Sequence, residues 1–404
     1  VSRILRRGAN AIGVVLGDGW FRMTREIWDN FDSMKRFSGY RSYPGCESRW
    51  LLAQLEITYE DGNREIIGTD RSWLWHGDGP LRRSAMYSGV LYDARKEVAG
   101  WNQPGLKTGG EWRPAVEKAL VPGPAISAQM MPPIRTREEL KPVRRTEPKP
   151  GCFVYDFGQD VAGVCRITVD GPAGAAVTLR HAQALKPDGT LYVANLGGNY
   201  GNRDMFVLAG RGPQSFTPPF TYHGFRYVEV SGAPSAAGIA EIVALPLGSD
   251  VPRAATFACS DPRLNRLCAI IDQAYRSNMP SLTVDCAGRD ERKPWMGDCF
   301  TDELQSLTYL YDFAAFGANQ HRVIVDATGA DGVCPPFLRN ASPGTMDASA
   351  CWSDASVNTP HGLWLNYADR RSLERGYATA KVLMDTIAES NPDFVPRNKY
   401  RGNF

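Results

Sequence analysis

The residues best able to do chemistry lie between Asp285 and Asp298, in the run Asp-Cys-Ala-Gly-Arg-Asp-Glu-Arg-Lys-Pro-Trp-Met-Gly-Asp. Four carboxylic acids, two arginines, one lysine and one tryptophan fall within these fourteen residues. Gly288, Pro294 and Gly297 break any regular element, so the run reads as a loop. Arg289 and Arg292 interleave with the acids and would hold neighbouring carboxylates ionised, as acceptors for sugar hydroxyls. A carboxyl kept against an apolar ring such as Trp295 would have a raised pKa and could donate a proton. Carboxylates in unlike environments beside an aromatic platform are what glycoside hydrolysis requires. A solvated surface loop has the same composition, so the run alone leaves both readings open. A second candidate, Cys351-Trp352-Ser353-Asp354-Ala355, sets another tryptophan beside an acid.

The elements that must position these loops change character along the chain. Up to about Pro122 the pattern is all-β. Ala11–Leu16 reads as a buried strand, and Leu51–Thr58 and Glu65–Gly68 flank an Asp61-Gly62 hairpin turn. Aromatic residues crowd this region, among them Trp20, Trp28, Trp50, Trp73, Trp75, Trp101 and Trp112. They suit sugar stacking, but core packing is the commoner use. Residues 122–150, rich in proline and charge, read as a linker or an edge segment. From Cys152 to about Leu247, short strands with turn punctuation at Gly158-Gln159-Asp160 and Pro187-Asp188-Gly189 predict a β-sandwich.

Beyond Pro252 the period becomes helical. Asp261-Pro262 is an N-cap followed by a first-turn proline. Leu264, Leu267, Cys268, Ile271 and Ala274 form an apolar stripe. Further helices are predicted over Asp302–Phe313, Ala314–Thr328 and Ser372–Glu389, with a long irregular loop at 329–360. That spacing fits a helical toroid whose loops build the site.

Composition narrows the function classes. The 46 basic and 44 acidic residues nearly balance, which argues against nucleic-acid and membrane partners. Nine cysteines without a CxxC pair, and only five histidines, argue against a zinc site and for free thiols. No EF-hand-like spacing is present, and neither a metal nor a cofactor is implied.

Together the motifs resemble the α-L-rhamnosidases of glycoside hydrolase family 78. The 285–298 run is similar to that family's catalytic loop. Leu16-Gly17-Asp18-Gly19-Trp20, Tyr92-Asp93-Ala94-Arg95 and Gly100-Trp101 resemble its N-terminal β domain. Tyr155-Asp156-Phe157-Gly158-Gln159, Leu179-Arg180-His181-Ala182 and Phe220-Thr221-Tyr222-His223-Gly224-Phe225-Arg226-Tyr227-Val228 resemble its second. The resemblance implies two β-sandwich domains followed by the N-terminal part of an (α/α)6 barrel. The boundaries expected are 1–125 (with carbohydrate binding as one use), 126–250 and 251–404.

It further implies an inverting hydrolase of terminal non-reducing α-L-rhamnosides. Glu291 is its general acid, Asp285, Arg289, Trp295 and Asp298 contact the sugar, and Trp352 lies in a following contact region. The partner expected is a rhamnose-containing glycoside or oligosaccharide. Two departures stand out: Gln183 replaces the family's usual Glu after Arg-His-Ala, and Lys293-Pro294 replaces its commoner Leu-Gly. Both ends of the sequence look cut, and the general base, a second carboxylate roughly 6.5–9.5 Å from the acid, is expected beyond Phe404. The isolated chain is therefore expected to be inactive, with its last third poorly folded because an open toroid exposes apolar helix faces. Two other classes stay open: a carbohydrate-binding protein without catalysis, and another (α/α)6 enzyme, for which His321 or His361 would matter. The aglycone, compartment and oligomeric state have no signature in the sequence.

Overall fold

The computed structural model describes residues 3–19, 48–118, 125–194, 196, 201–289, 292–300, 303–338 and 352–393. Its frame is a ten-stranded sheet. In chain order the strands are β1 (Leu81–Ala85), β2 (Gly89–Asp93), β3 (Ile134–Thr136), β4 (Arg144–Lys149), β5 (Cys152–Val169), β6 (Ala176–Ala182), β7 (Arg203–Val207), β8 (Gln214–Phe216), β9 (His223–Ser231) and β10 (Ile239–Ser249). They neighbour one another in the order β1-β2-β7-β6-β9-β5-β10-β3, and β4 and β8 also pair with β5. Only β2 and β7 run parallel among the described strand pairs. The early strands β1 and β2 thus enter the sheet built mostly by residues after 134.

Alternating side chains make one core of this sheet. Phe153, Tyr155, Phe157, Ile167, Leu179, Phe206, Phe225, Val228 and Val230 are buried together. Phe206 and Phe216 stack with centroids 4.8 Å apart. Each large side chain buried this way contributes on the order of 2–3 kcal/mol.

Several expectations hold and several change. The Asp-Gly hairpin is present: Gln54–Thr58 pairs antiparallel with Arg64–Gly68, and Gly62 takes a positive φ of 84°. Gly158-Gln159-Asp160, expected to turn the chain, instead lies inside the 18-residue β5. Gly158 has φ 78° and donates its N–H to Asp156 at 2.7 Å, which bends the strand without reversing it. Residues 11–16, expected as a buried strand, form no strand and lie mostly exposed. An apolar run needs a free neighbouring edge to pair with. Here the first contact with an edge comes later, where the Asp18 and Gly19 N–H groups donate to Ser84 O and Gly19 bridges Ala85. Trp20 and Trp28 lie outside the described residues. Trp50, Trp75 and Trp101 are exposed, with Lys118 over Trp50 and Arg113 over Trp75.

The helical part begins with α1 (Pro262–Ser277), capped as expected by Asp261, which accepts the Arg263 N–H at 2.8 Å. Then come α2 (Met296–Phe300), α3 (Glu303–Leu310), α4 (Ala314–Ala327), α5 (Ala355–Tyr367) and α6 (Arg370–Ser390). Helix α5 begins inside the stretch 329–360 expected to be irregular and runs past it. Pro360 and the mixed run Ala-Ser-Val-Asn-Thr-Pro hide its period, and burial of Ala355, Ser356, Thr359, Pro360 and Leu363 holds it. Met279, Met296, Leu307, Tyr311, Phe313, Phe316, Ile324 and Ala355 form the second core. The apolar stripe of α1 is not buried: Leu264 and Leu267 are each about half exposed, and Ile271 is 37% exposed. No described helix is long and apolar enough to cross a membrane. Six cysteines among the described residues, Cys152, Cys165, Cys259, Cys268, Cys286 and Cys334, are free thiols.

Two buried histidines make a pH prediction. Burial lowers His181 to about 3 and His321 to about 4. A histidine held neutral in the fold but titrating near 6.5 when unfolded supplies stability above 6.5, which is lost as pH falls towards its folded value. Carboxylates held low by arginines, such as Asp156 beside Arg226, lose their contribution only below their ordinary range, near pH 4. The unfolding midpoint should therefore be flat above about pH 7 and fall between about 6.5 and 4. His321→Phe should make that fall visibly shallower in thermal scans. An unchanged slope would count against His321 as one of its sources.

Candidate active site

The 285–298 loop enters the molecule through a closed neck. Asp285 and Lys293 face each other: the Asp285 N–H donates to Lys293 O at 3.0 Å, and the Lys293 N–H donates to Asp285 Oδ1 at 2.7 Å. Asp285 Oδ2 lies 3.6 Å from the Arg289 guanidinium, whose side chain is 54% exposed. The acid is thus mostly inside and its basic partner is outside. Asp290 and Glu291 lie outside the described residues, so the expected general acid has no described geometry.

After the neck, the chain is stitched to the segment 334–338. Met296 N–H donates to Pro336 O, Leu338 N–H donates to Pro294 O, and Trp295 forms a bridge with Phe337. The Trp295 and Phe337 rings meet edge to face at 4.6 Å. Lys293, 3% exposed, sets its ammonium 5.2 Å from the Phe337 ring and 6.0 Å from Trp295. Lys293 is therefore an internal cation against two aromatic rings. Asp298, in the first turn of α2, is exposed. Trp352 lies directly on Gly297: a Cβ there would come within 2.5 Å of its indole. Five of the six predicted site residues are therefore described. The structure joins Asp285 with Arg289, pairs Trp295 with Phe337 and sets Trp352 on Gly297, the residue before exposed Asp298.

The sequence reading missed what holds the loop from below. Arg292, in the left-handed region at φ 48°, is 1% exposed. It donates to Tyr222 O at 2.6 Å and to Asn202 Oδ1 at 3.1 Å, with Tyr87 and Tyr222 rings 4.9 and 5.6 Å away. These partners come from β-rich segments far apart in sequence. Tyr222 and Gly224 belong to the Tyr-His-Gly-Phe motif quoted above, which was the available signal. Gly224 lets the loop approach: a Cβ on it would lie 2.3 Å from the Cα of Gly288. Gln183 touches Gly288 from another side and donates its amide to Asp160. A carboxylate at 183 would face Asp160 with like charge, so the amide suits this neighbour.

One cluster has metal-ligating chemistry among the described residues: His181, Asp204 and His223, whose ligand atoms lie within 4.8 Å of one another. His223 Nε2 lies 3.0 Å from Asp204 Oδ2, and Asp204 Oδ1 accepts the Val90 N–H at 2.9 Å. The imidazoles stack at 4.3 Å. Hydrogen bonds thus already occupy both oxygens of the buried carboxylate.

The chain matches three family models in order. Residues 1–138 match the alpha-L-rhamnosidase N-terminal domain, 146–246 the bacterial alpha-L-rhamnosidase concanavalin-like domain, and 252–403 the bacterial alpha-L-rhamnosidase 6 hairpin glycosidase domain. An alpha-L-rhamnosidase of Streptomyces avermitilis is 36% identical over 92% of this chain and 35% of its own length. One from Alteromonas sp. is 30% identical over 97% of this chain and 41% of its own. The chain thus spans about a third to two fifths of these relatives. The Streptomyces avermitilis structure, solved with L-rhamnose, superposes with a TM-score of 0.76 at 35% identity, covering 84% of this chain and 32% of that one. The structure of an alpha-L-rhamnosidase from Dictyoglumus thermophilum gives 0.78 at 32% identity, covering 87% and 39%. With sheet domains followed by a helical glycosidase domain, each matched in this order, the chain belongs to the α-L-rhamnosidase family.

Proposed function

We propose that the protein carrying this chain hydrolyses terminal non-reducing α-L-rhamnose from a glycoside or oligosaccharide with inversion. The supporting observation is that one braced loop carries exposed Asp298 and Arg289, Asp285 and Trp295, with Trp352 packed on its Gly297. In this reading Glu291 protonates the departing glycosidic oxygen. Asp285 and Asp298 take rhamnose hydroxyls and favour positive charge developing at the anomeric carbon, with Arg289 keeping Asp285 ionised. Trp295 and Trp352 pack the ring and its 6-methyl group. The rhamnose complex of the Streptomyces avermitilis relative supports the choice of sugar.

The acid role has a specific test in the full-length protein. General acid catalysis contributes roughly 10²–10⁴-fold, but only where the leaving group needs a proton. Glu291→Gln should therefore lower kcat/KM by about that factor on an alkyl rhamnoside and far less on a 2,4-dinitrophenyl rhamnoside. Equal losses on the two substrates would refute Glu291 as the acid. Asp298→Asn should lower both substrates alike, through hydroxyl binding.

Loop placement has its own test. Gly224→Ala puts a methyl group into the backbone at Ala287-Gly288, and overpacking of this kind costs about 1–3 kcal/mol. A displacement near 1 Å costs about 100-fold in rate, so activity should fall by one to two orders of magnitude while the sheet still unfolds cooperatively. Full activity in Gly224→Ala would show that the loop tolerates movement there.

A further inference from the structure

Asn202, beside the 285–298 loop, is held through both its backbone and its side chain. It is 1% exposed and sits in the left-handed region at φ 52°. Its backbone N–H donates to Tyr87 O at 3.0 Å, and its carbonyl accepts the His181 N–H at 3.0 Å. His181 Nδ1 lies 3.2 Å from the same carbonyl, which sets the tautomer with the proton on Nδ1. The backbone of Asn202 is thus fixed by two separate parts of the sheet.

Its side chain does something different. Oδ1 accepts from Arg292 Nη2 at 3.1 Å, and Nδ2 donates to Gly288 O at 3.3 Å. One amide therefore grips residues 288 and 292, the points immediately flanking Arg289, Asp290 and Glu291. The amide group is suited to this: a carboxylate has no donor for Gly288, and an ammonium has no acceptor for Arg292. We infer that Asn202 is a positioning residue, a sheet-borne clamp that fixes both ends of the five-residue segment carrying Glu291. This inference rests on Glu291 being the acid. It means that the sheet domain takes part in catalysis by setting where the proton is delivered.

The experiment uses the full-length protein, an alkyl rhamnoside and a 2,4-dinitrophenyl rhamnoside. Asn202→Gly is the first variant, because glycine keeps the positive φ without strain and removes the side chain that carries the amide. Asn202→Asp is the second, keeping an acceptor for Arg292 but losing the donor to Gly288. Val177→Ala, a core change in the sheet away from the loop, controls for general destabilisation. Asn202→Gly should lower kcat on the alkyl rhamnoside by about 10- to 100-fold, leave KM near its original value, and lower the dinitrophenyl rate by less than about threefold. Asn202→Asp should fall between Asn202→Gly and the unmodified protein. Amide hydrogen exchange over residues 286–293 should quicken in Asn202→Gly and not in Val177→Ala.

Equal loss on both substrates, no loss on either, or unchanged exchange in that segment overturns the clamp. The outcome is separable from the acid assignment. Leaving-group-dependent loss in Glu291→Gln without it in Asn202→Gly rejects the clamp alone. Equal loss in Glu291→Gln rejects the acid, and the clamp's purpose with it. If Asn202→Gly fails to fold, the exchange and leaving-group readouts of Asn202→Asp decide.

Discussion

The architecture turns on a guanidinium taken out of water. Arg292 is among the largest fully buried side chains, and moving such a charge inside costs several kcal/mol. The structure offsets this with a carbonyl, an amide oxygen and two tyrosine faces. Hydrogen bonds to a charged group contribute about 1.5–3 kcal/mol each, and a desolvated cation over a ring about 2. These gains match the cost only if every partner is in place. Tyr87, Asn202 and Tyr222 sit on separate segments, so the sheet must be assembled before the cation can be housed. The loop that contributes Arg292 is then committed to one position.

The constraint passes backwards into the sheet. Asn202 leads directly into β7, where Asp204 takes the Val90 N–H from β2 and faces His223 from β9. His181 at the end of β6 stacks on His223 and holds Asn202. The parallel pairing of β2 with β7 brings the Tyr87-Ser88-Gly89 corner beneath the loop. Gly89 permits this, since a Cβ there would meet Arg203 O at 2.4 Å. A stack of buried polar groups, each with a partner on another strand, specifies one register where an apolar core would tolerate several.

Much of this was legible in the sequence, for reasons that differ by residue. Asp261-Pro262 announced α1 because capping chemistry is local. The alternation in β5, β6 and β9 announced the sheet because burial on a pleated surface is periodic. The loop 285–298 stood out because its carboxylates, arginines and tryptophan crowd into one stretch. Gly158 misled because a positive-φ glycine signals a bend and a reversal equally well. Helix α5 was hidden because long-range packing outweighs its weak local period. Asn202 and Tyr87 were illegible for a deeper reason: their importance lies in what they touch, 86 to 90 residues away for Asn202, and nothing local records it.

That division explains why the loop's composition was ambiguous by itself. A charged, glycine-punctuated run on a surface pays little for each exposed pair and can adopt many shapes. Here two of its basic residues, Arg292 and Lys293, are instead interior, while Arg289 and Asp298 face outward. The inward cations consume the loop's conformational freedom, and the outward groups are left presented in a fixed relation. Proton delivery to a glycosidic oxygen depends on such fixed geometry, because a carboxyl displaced by about 1 Å forfeits most of its advantage. The two β regions are therefore better understood as part of the scaffold of this loop than as attachments to it: the helical region contributes the loop's charged and aromatic groups, and the sheet supplies the partners that house Arg292.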